Sequence, residues 1–415
     1  MEFFENKQEP EKAVLVSVDT GDFDAQVSID ELEFLADTAG AKVLAKIVQK
    51  KEKPDAATYL GSGRLLELKE FCRANDVDLI IFDCELSPSQ QRNVENFTDV
   101  RVVDRTTLIL DIFAARARSS EGKLQVELAQ LKYSLPRLGG KGLALSRLGG
   151  GIGTRGPGES KLESDRRHIR RRIDALQEQL KEVEKRRNNL RNRRAKDGII
   201  SVAIVGYTNA GKSTLMNALT DAGVLAQDKL FATLDPTARS LTLPDGRKVM
   251  LIDTVGLIRR LPHNLVEAFK STLEEAANAD VILNVCDCSS PECAEHLEVT
   301  RKLLKELGCE TKPVISVMNK SDLTDDTLGM ATIGQTVFIS ALNKEGLDEL
   351  LEKITACLEP TRAEVEFLFP FDKGSLAAQV RKDGVVKAEE YRAEGLYMRA
   401  IVDTDFIDVN KEFII

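Results

Sequence analysis

Tryptophan is absent from this 415-residue chain, which also carries only five tyrosines and three histidines. So few large flat side chains disfavour base stacking as the main mode of contact with nucleic acid. His168, His263 and His296 are scattered, and nothing in their spacing suggests a catalytic or metal-binding role. Cysteine is sparse, at seven residues. Cys286, Cys288 and Cys293 stand close together but lack C-x-x-C spacing and a second ligand pair, so reduced thiols in a core are expected rather than zinc. No apolar run approaches the roughly 18 residues of a membrane span. The N-terminus, MEFFENKQEPEK, lacks the basic and apolar regions of a signal peptide. A cytoplasmic protein with no membrane span is therefore expected, and a monomer is the simplest assembly.

What is present is a chain with 42% hydrophobic and 30% charged residues, enough to build cores. Its length implies two to four domains. The net charge of −9 is an average over uneven parts. Between Arg137 and Lys196 there are 18 Lys/Arg against 7 Asp/Glu, one basic element on an acidic body. From Lys161 to Lys196 there is neither Gly nor Pro, and Ile169, Ile173, Leu176, Leu180, Val183 and Leu190 follow a 4-3-4-3 spacing broken by Arg187. That predicts a long helix with a coiled-coil seam, about 54 Å if helical throughout. It packs most simply on the preceding helical stretch, LILDIFAARARSSEGKLQVELAQLKYSLPRL, which has a break near Ser119–Gly122. The result is a helical hairpin over 106–197 with a glycine-rich tip at 139–159.

Upstream, strands AVLVSV, VLAKIVQ, DLIIFD and VRVVD alternate with helices SIDELEFLADTAG (with Ser28 or Asp30 near its cap), GRLLELKEFCRAND and SPSQQRNVENF. This rhythm predicts a small α/β domain over 1–105. GSGRLLEL (61–68) is read as a helix start, with an auxiliary nucleotide or RNA site as its alternative. Residues 198–359 alternate strand and helix in the doubly wound manner, and 360–415 read as a small α+β domain. The fold class is thus α/β, with a mostly parallel, doubly wound sheet as its largest part.

The tip holds a literal G-x-G-x-x-G at Gly151, Gly153 and Gly156. A dinucleotide site needs a strand directly before it, and GGKGLALSRLGG is not one. A better phosphate site lies 55 residues downstream. There IISVAIV runs into G-x-x-x-x-G-K-S and then a helix, the context of a P-loop. Gly206, Tyr207, Thr208, Asn209, Ala210, Gly211, Lys212, Ser213 and Thr214 are expected to wrap the phosphates, with Lys212 reaching the β- and γ-phosphates and Ser213 ligating Mg²⁺. Asp253, Thr254, Val255 and Gly256 (DTVG) end a strand. Asp253 suits a contact to Mg²⁺ through water and the Gly256 amide suits the γ-phosphate.

Phe231, Ala232, Thr233, Leu234 and Asp235, in FATLDPT, sit where a switch loop would cover the nucleotide. Thr233 is the preferred Mg²⁺ ligand and Thr237 its rival. Lys212, Thr233 and Gly256 are the candidate catalytic groups. The base is read by Asn319, Lys320, Ser321 and Asp322 (NKSD). A carboxylate at Asp322 can accept both guanine N1–H and the exocyclic amine, and adenine offers nothing matching. Asn319 is expected on the other edge of the base, with Lys320 over its face. Ser340, Ala341 and Leu342 (SAL) can offer a backbone N–H to guanine O6. GTP is therefore the expected substrate.

The set resembles the translation-factor-related P-loop GTPases and, over nearly the whole chain, the HflX family of ribosome-associated GTPases. The residues that carry this are DRTTLILDIFAARARSSEGKLQVELAQLKY (104–133), RLGGGIGTRGPGESKLESDRR (147–167), GYTNAGKS, FATLDPT and DTVGLIRRLPHNLVEAF. The resemblance implies a GTPase that binds the large ribosomal subunit, reaches rRNA near the peptidyl transferase centre, and splits or recycles stalled or idle ribosomes.

Where Ras-like enzymes place a water-orienting Gln, this chain has Leu257 followed by Ile258, so slow unaided hydrolysis is expected, with the ribosome completing the site. Asn209 is either a plain loop residue or a ligand for K⁺ beside the phosphates. Arg259 and Arg260 are either charges acting on the nucleotide, solvated, or RNA contacts. RNA contact is expected from Arg147 and Arg155 at the tip and from Arg166, Arg167, Arg170 and Arg171 on the long helix, mainly through backbone phosphates.

Overall fold

In the computed structural model the residues described are 10–138, 157–196, 199–220, 230–231, 237–260, 275–324, 335–358 and 362–415. They form two compact units. The first comprises the chain up to Arg191 together with Leu230, Phe231 and Ile258 to Arg260; the second takes in the remainder.

In the first unit, strands β1 (Lys12–Asp19), β2 (Lys42–Lys50), β3 (Leu79–Phe82) and β4 (Arg101–Asp104) form a parallel sheet in the order β2-β1-β3-β4. The apolar runs AVLV and LIIF fill its centre because a parallel sheet is covered on both faces. Helices α1 (Ala25–Thr38), α2 (Ser62–Ala74) and α3 (Pro88–Thr98) connect the strands. Helix α1 starts earlier than Ser28 or Asp30 suggested, because the Asp24 carboxylate accepts from the N–H groups of Gln26 and Val27 and caps it there. Ser28 lies instead in the buried first turn. A capping box between Ser87 and Gln90 starts α3. Gly61 stands at the α2 N-cap, and its N–H donates to the Gln49 side chain.

Helices α4 (Arg105–Arg116) and α5 (Ser120–Ser134) are separated where Ser119 caps α5, close to the predicted break. Helix α6 (Pro157–Lys196) spans 40 residues, about 60 Å at the usual rise. It runs antiparallel to α5: Arg166 donates to the Leu138 carbonyl, Arg172 grips Glu127 with two nitrogens, and Arg187 pairs with Glu121. That last pair explains the polar residue in the seam: Arg187 faces Glu121 where a leucine would have faced apolar surface. Of the seam, Leu176 is fully buried, Ile169, Ile173, Leu180 and Val183 are half-buried, and Leu190 is exposed. Arg147 and Arg155 lie outside the described residues.

In the second unit, β5 (Ile200–Gly206), β6 (Thr237–Thr242), β7 (Lys248–Asp253), β8 (Val281–Asp287), β9 (Val314–Asn319) and β10 (Gln335–Phe338) make a sheet in the order β10-β9-β8-β5-β7-β6. Only the edge strand β6 is antiparallel. Helices α7 (Lys212–Thr220), α8 (Cys293–Glu306) and α9 (Leu347–Cys357) are joined to it. Val202, Ile204, Leu251, Leu283, Ile315 and Val317 form the fully closed centre of the core, where truncating one leucine to alanine costs about 2–5 kcal/mol. Strands β11 (Arg362–Phe369), β12 (Val385–Arg392) and β13 (Gly395–Asp403) form an antiparallel sheet, order β11-β13-β12, beside α10 (Gly374–Asp383) and a one-and-a-half-turn helix α11 (Thr404–Val409). It encloses its own core of Phe367, Phe369, Met398 and Ala400. All seven cysteines are free thiols, and no described helix is long and apolar enough to cross a membrane.

Candidate nucleotide site

Strand β5 delivers the chain to the loop at Gly206, where a side chain cannot fit: a Cβ there would lie 2.1 Å from the Val285 carbonyl oxygen, at φ +148°. Gly211, at φ +89°, would place a Cβ 2.2 Å from the Asn319 side-chain nitrogen. These two glycines let the loop turn tightly between β5 and α7. Asn209 between them is left-handed, at φ 61°, a conformation Asn tolerates better than most residues. That is one reason for an asparagine at this position.

The ends of β5 and β7 are laced together. Thr208 N–H donates to the Leu257 carbonyl (2.7 Å), and Leu257 N–H donates to the Gly206 carbonyl (3.0 Å). The Thr254 hydroxyl donates to the Ile204 carbonyl (2.7 Å). Lys212 donates from Nζ to the carbonyls of Gly206 (3.1 Å) and Tyr207 (2.7 Å). Burial pushes its ammonium down to about 8, with Asp253 opposing the shift. An ammonium so poorly solvated gains most from an anion brought beside it. Gly256 lies against it: a Cβ there would come within 3.1 Å of Lys212 Nζ. The Thr208 hydroxyl is buried with no hydrogen-bond partner among the described residues.

Ser213 donates from Oγ to Asp253 Oδ2 (2.8 Å). A hydroxyl and a carboxylate make a hard oxygen set that fits Mg²⁺ completed by phosphate oxygens. Among the described residues no group of three or more His, Cys, Asp or Glu could hold a metal alone. Thr237 opens β6 opposite Asp253 in the antiparallel register. Thr233, with Ala232, Leu234 and Asp235, lies outside the described residues.

At the other end, Asn319 closes β9. Its Nδ2 donates to the Ala210 carbonyl (2.8 Å), and its Oδ1 accepts from the Ala341 N–H (3.0 Å). The amide expected at the edge of the base also ties the phosphate loop to the SAL loop, and its second N–H is not used by either bond. The Ala341 N–H is likewise engaged by Asn319. Lys320, left-handed at φ 65°, pairs with Asp287 at 2.6 Å. Asp322 is exposed, on a short 3-10 turn (Ser321–Leu323). Ser340 is fully buried and Leu342 fully on the surface, at 78% exposure.

Several residues make contacts that their local sequence did not signal. Phe231 is buried and packs edge-to-face on Phe113 of α4, centroids 4.6 Å apart, within the first unit. Arg260 is neither simply solvated nor aimed at phosphate. It donates to Asp83 Oδ2 (2.8 Å), to the Asp83 carbonyl (3.3 Å) and to the Ser28 hydroxyl, and it stacks over Phe23 at 4.1 Å. Arg105, held by Asp83 (2.8 Å) and Glu31, donates to the Arg259 carbonyl at 3.3 Å. His296 stacks on Tyr207 with centroids 3.8 Å apart. The sequence carried no local signal for any of these contacts, whose partners stand 22 to 237 positions away. Leu257 and Ile258 are both buried and apolar, as the missing glutamine implied. Of the candidate RNA-contact residues, Arg167, Arg170 and Arg171 are exposed, while Arg166 is partly taken up by the Leu138 carbonyl.

Comparison with known proteins settles the family. Residues 26–114 match the family described as GTP-binding GTPase N-terminal, 116–194 the GTP-binding GTPase middle region, and 201–320 the 50S ribosome-binding GTPase family. A GTPase HflX of Caldanaerobacter subterraneus subsp. tengcongensis is 52% identical over 408 residues, covering 98% of this chain and 95% of the relative. The chain belongs to the HflX family of GTPases. The GTPase HflX of Escherichia coli K12 is 40% identical, covering 94% of this chain and 93% of its own length. A solved structure of a GTP-binding protein from the hyperthermophilic archaeon Sulfolobus solfataricus, in complex with GDP, aligns at 27% identity and TM-score 0.46, over 84% of this chain and 98% of that one. As an HflX GTPase the chain binds GTP through its P-loop domain and hydrolyses it, and it belongs with ribosome-binding GTPases.

Proposed function

We propose that this HflX-family GTPase binds the large ribosomal subunit in a nucleotide-dependent way and uses GTP to split or recycle stalled or idle ribosomes. The observation that carries the nucleotide half is Asn319, whose one amide joins the phosphate loop at Ala210 to the SAL loop at Ala341. That tie supports a reading in which Lys212 and Asp322 meet opposite ends of one guanine nucleotide. In this reading Asp322 reads the guanine, the Gly256 amide and Lys212 meet the γ-phosphate, and Thr233 joins Ser213 on Mg²⁺, with Asp253 holding the ion's water. Held there, Mg²⁺ would supply positive charge against the charge that develops on the phosphates. With apolar Leu257 and Ile258 after the DTVG turn, no side chain there can orient the attacking water. Hydrolysis is therefore slow until the ribosome orders the site. K⁺ at Asn209 is the second aid, in place of an arginine finger.

The ribosomal half rests on the basic hairpin, over which 18 Lys/Arg face 7 Asp/Glu. Its domain boundaries are taken as 1–105, 106–197, 198–359 and 360–415, with the tip at 139–159 entering rRNA near the peptidyl transferase centre. A tip rich in glycine exposes backbone N–H groups and little bulk, which suits a narrow crevice between phosphates. Replacing Arg147 and Arg155 together by Glu tests this assignment. Binding to large subunits is expected to fall while GTP affinity stays unchanged. A fall in GTP affinity instead would show that the tip belongs to the nucleotide site.

A further inference from the structure

Under the guanine end of the site lies a pair of thiols to which neither the motifs nor the family assigns a role. Cys286 is the penultimate residue of β8 and Cys293 is the first residue of α8, separated by the six-residue connection 287–292. Their Sγ atoms are 2.9 Å apart, and Cys286 also donates to the Cys293 carbonyl at 3.3 Å. The sulfurs need to close by less than 1 Å to reach the bonded distance of about 2.05 Å. Both sit in a small apolar cluster with Cys288 and Met318, at the end of the parallel sheet.

The surroundings connect this pair to both ends of the nucleotide site. Asp287, next to Cys286, pairs with Lys320 of the NKSD loop at 2.6 Å. Cys288 N–H donates to the Asn319 carbonyl at 2.9 Å. One turn into α8, His296 stacks on Tyr207 of the phosphate loop. A change in how α8 meets β8 is thus felt at the base and at the phosphates alike.

We propose that Cys286 and Cys293 form a reversible disulfide, a redox modification site that moves the start of α8 toward β8 and lowers affinity for guanine nucleotides. The effect on affinity rests on the nucleotide-site assignment above; the formation of the bond does not. The oxidant is a small-molecule disulfide, such as oxidised glutathione. Cys293 is the attacking sulfur. The hydrogen bond from Cys286 lowers it, it stands at a helix N-terminus, which favours a thiolate, and although it is itself buried, its neighbours Pro291, Ala294 and Glu295 are exposed, so opening the first turn of α8 admits the small disulfide. That same hydrogen bond, and then burial, push Cys286 up.

In the first step the Cys293 thiolate attacks one sulfur of the small disulfide and expels one thiolate, leaving a mixed disulfide on Cys293. Cys286 then loses its proton and attacks the Cys293 sulfur, expelling the second thiolate. The protein has lost two electrons and two protons. The small disulfide has gained both and leaves as two thiols.

The test treats the full chain with excess oxidised glutathione, maps disulfide-linked peptides by mass spectrometry, and titrates GDP before and after dithiothreitol. The expected result is a 286–293 linkage, GDP affinity reduced at least about fivefold, and full recovery on reduction. Cys293→Ser and, separately, Cys286→Ala are expected to remove both linkage and loss, with thermal melting confirming that each variant is folded. Absence of the linkage, a linkage through Cys288 in its place, or a linkage that leaves GDP affinity unchanged would overturn the proposal. If the nucleotide-site assignment is at fault, the signature is different: the reduced protein does not bind GDP at all.

Discussion

Arg260→Ala is the substitution that most directly probes how the residues after the DTVG turn are held. The guanidinium makes a charge-assisted bond to Asp83 at 2.8 Å, further bonds to the Asp83 carbonyl and the Ser28 hydroxyl, and a stacking contact with Phe23. Hydrogen bonds to a charged group contribute about 1.5–3 kcal/mol and an exposed cation–π contact about 0.5–1 kcal/mol. The Arg260 side chain is 38% exposed, so solvent takes back part of this. Removing it does not orphan Asp83, which keeps Arg105 at 2.8 Å and the Ser17 hydroxyl at 3.3 Å. The cost therefore falls below the 3–5 kcal/mol of a broken buried pair, at about 2 kcal/mol, or roughly a 30-fold shift toward the released segment. Hydrogen exchange of a peptide spanning 253–260 reads this directly. Exchange is expected to quicken about 30-fold in the variant, with GDP affinity unchanged, because the partners of Arg260 among the described residues are Asp83, Ser28 and Phe23. Unchanged exchange would refute the latch, and a tenfold loss of GDP affinity would place Arg260 at the nucleotide after all.

Further outcomes follow from the same geometry. Asp322→Asn exchanges an acceptor pair for a donor at the guanine edge, so GTP affinity is expected to drop by two charge-assisted bonds, about 3–6 kcal/mol, while xanthosine triphosphate gains. Equal discrimination in both proteins, measured by competition, would remove Asp322 from base reading. The Lys212 ammonium, held down to about 8 without nucleotide, must be recharged to meet phosphate. GDP binding in Mg²⁺-free buffer should therefore take up a proton above pH 8 and weaken about tenfold from pH 7 to pH 9, less steeply in Lys212→Gln. The same shift raises the stability of the nucleotide-free protein as pH climbs from 8 to 10.5, because over that window the unfolded chain binds the extra proton. GTPase rates compared in KCl and NaCl decide the role of Asn209; equal rates leave it as a residue chosen for its left-handed backbone.

Most of the scaffold could be read locally. The four strands of the first unit, the break near Ser119 and the strand-to-helix setting of Lys212 follow from short apolar runs, caps and glycines, each acting within a few residues. The start of α1 was misplaced because Asp24 competes with Ser28 and Asp30 as an acceptor, and only the backbone path shows which one wins. What sequence could not give are contacts closed by tertiary folding. Arg260 finds Ser28 across 232 positions, Phe231 finds Phe113 across 118, and Asn319 also clamps Ala210 across 109. Arg187 looked like a flaw in an apolar seam until its partner Glu121 was placed opposite it. In each case the residue type was informative about chemistry but silent about the partner.

The central claim is that nucleotide state sets affinity for the large ribosomal subunit. Co-sedimentation of the full chain with purified large subunits, loaded with a non-hydrolysable GTP analogue, with GDP or with no nucleotide, tests it most directly. The account predicts binding with the analogue about tenfold tighter or more than with GDP, and weaker in rising salt as the basic hairpin releases phosphates. Equal binding in all three states would contradict it and leave an RNA-binding protein whose GTPase site serves some other end.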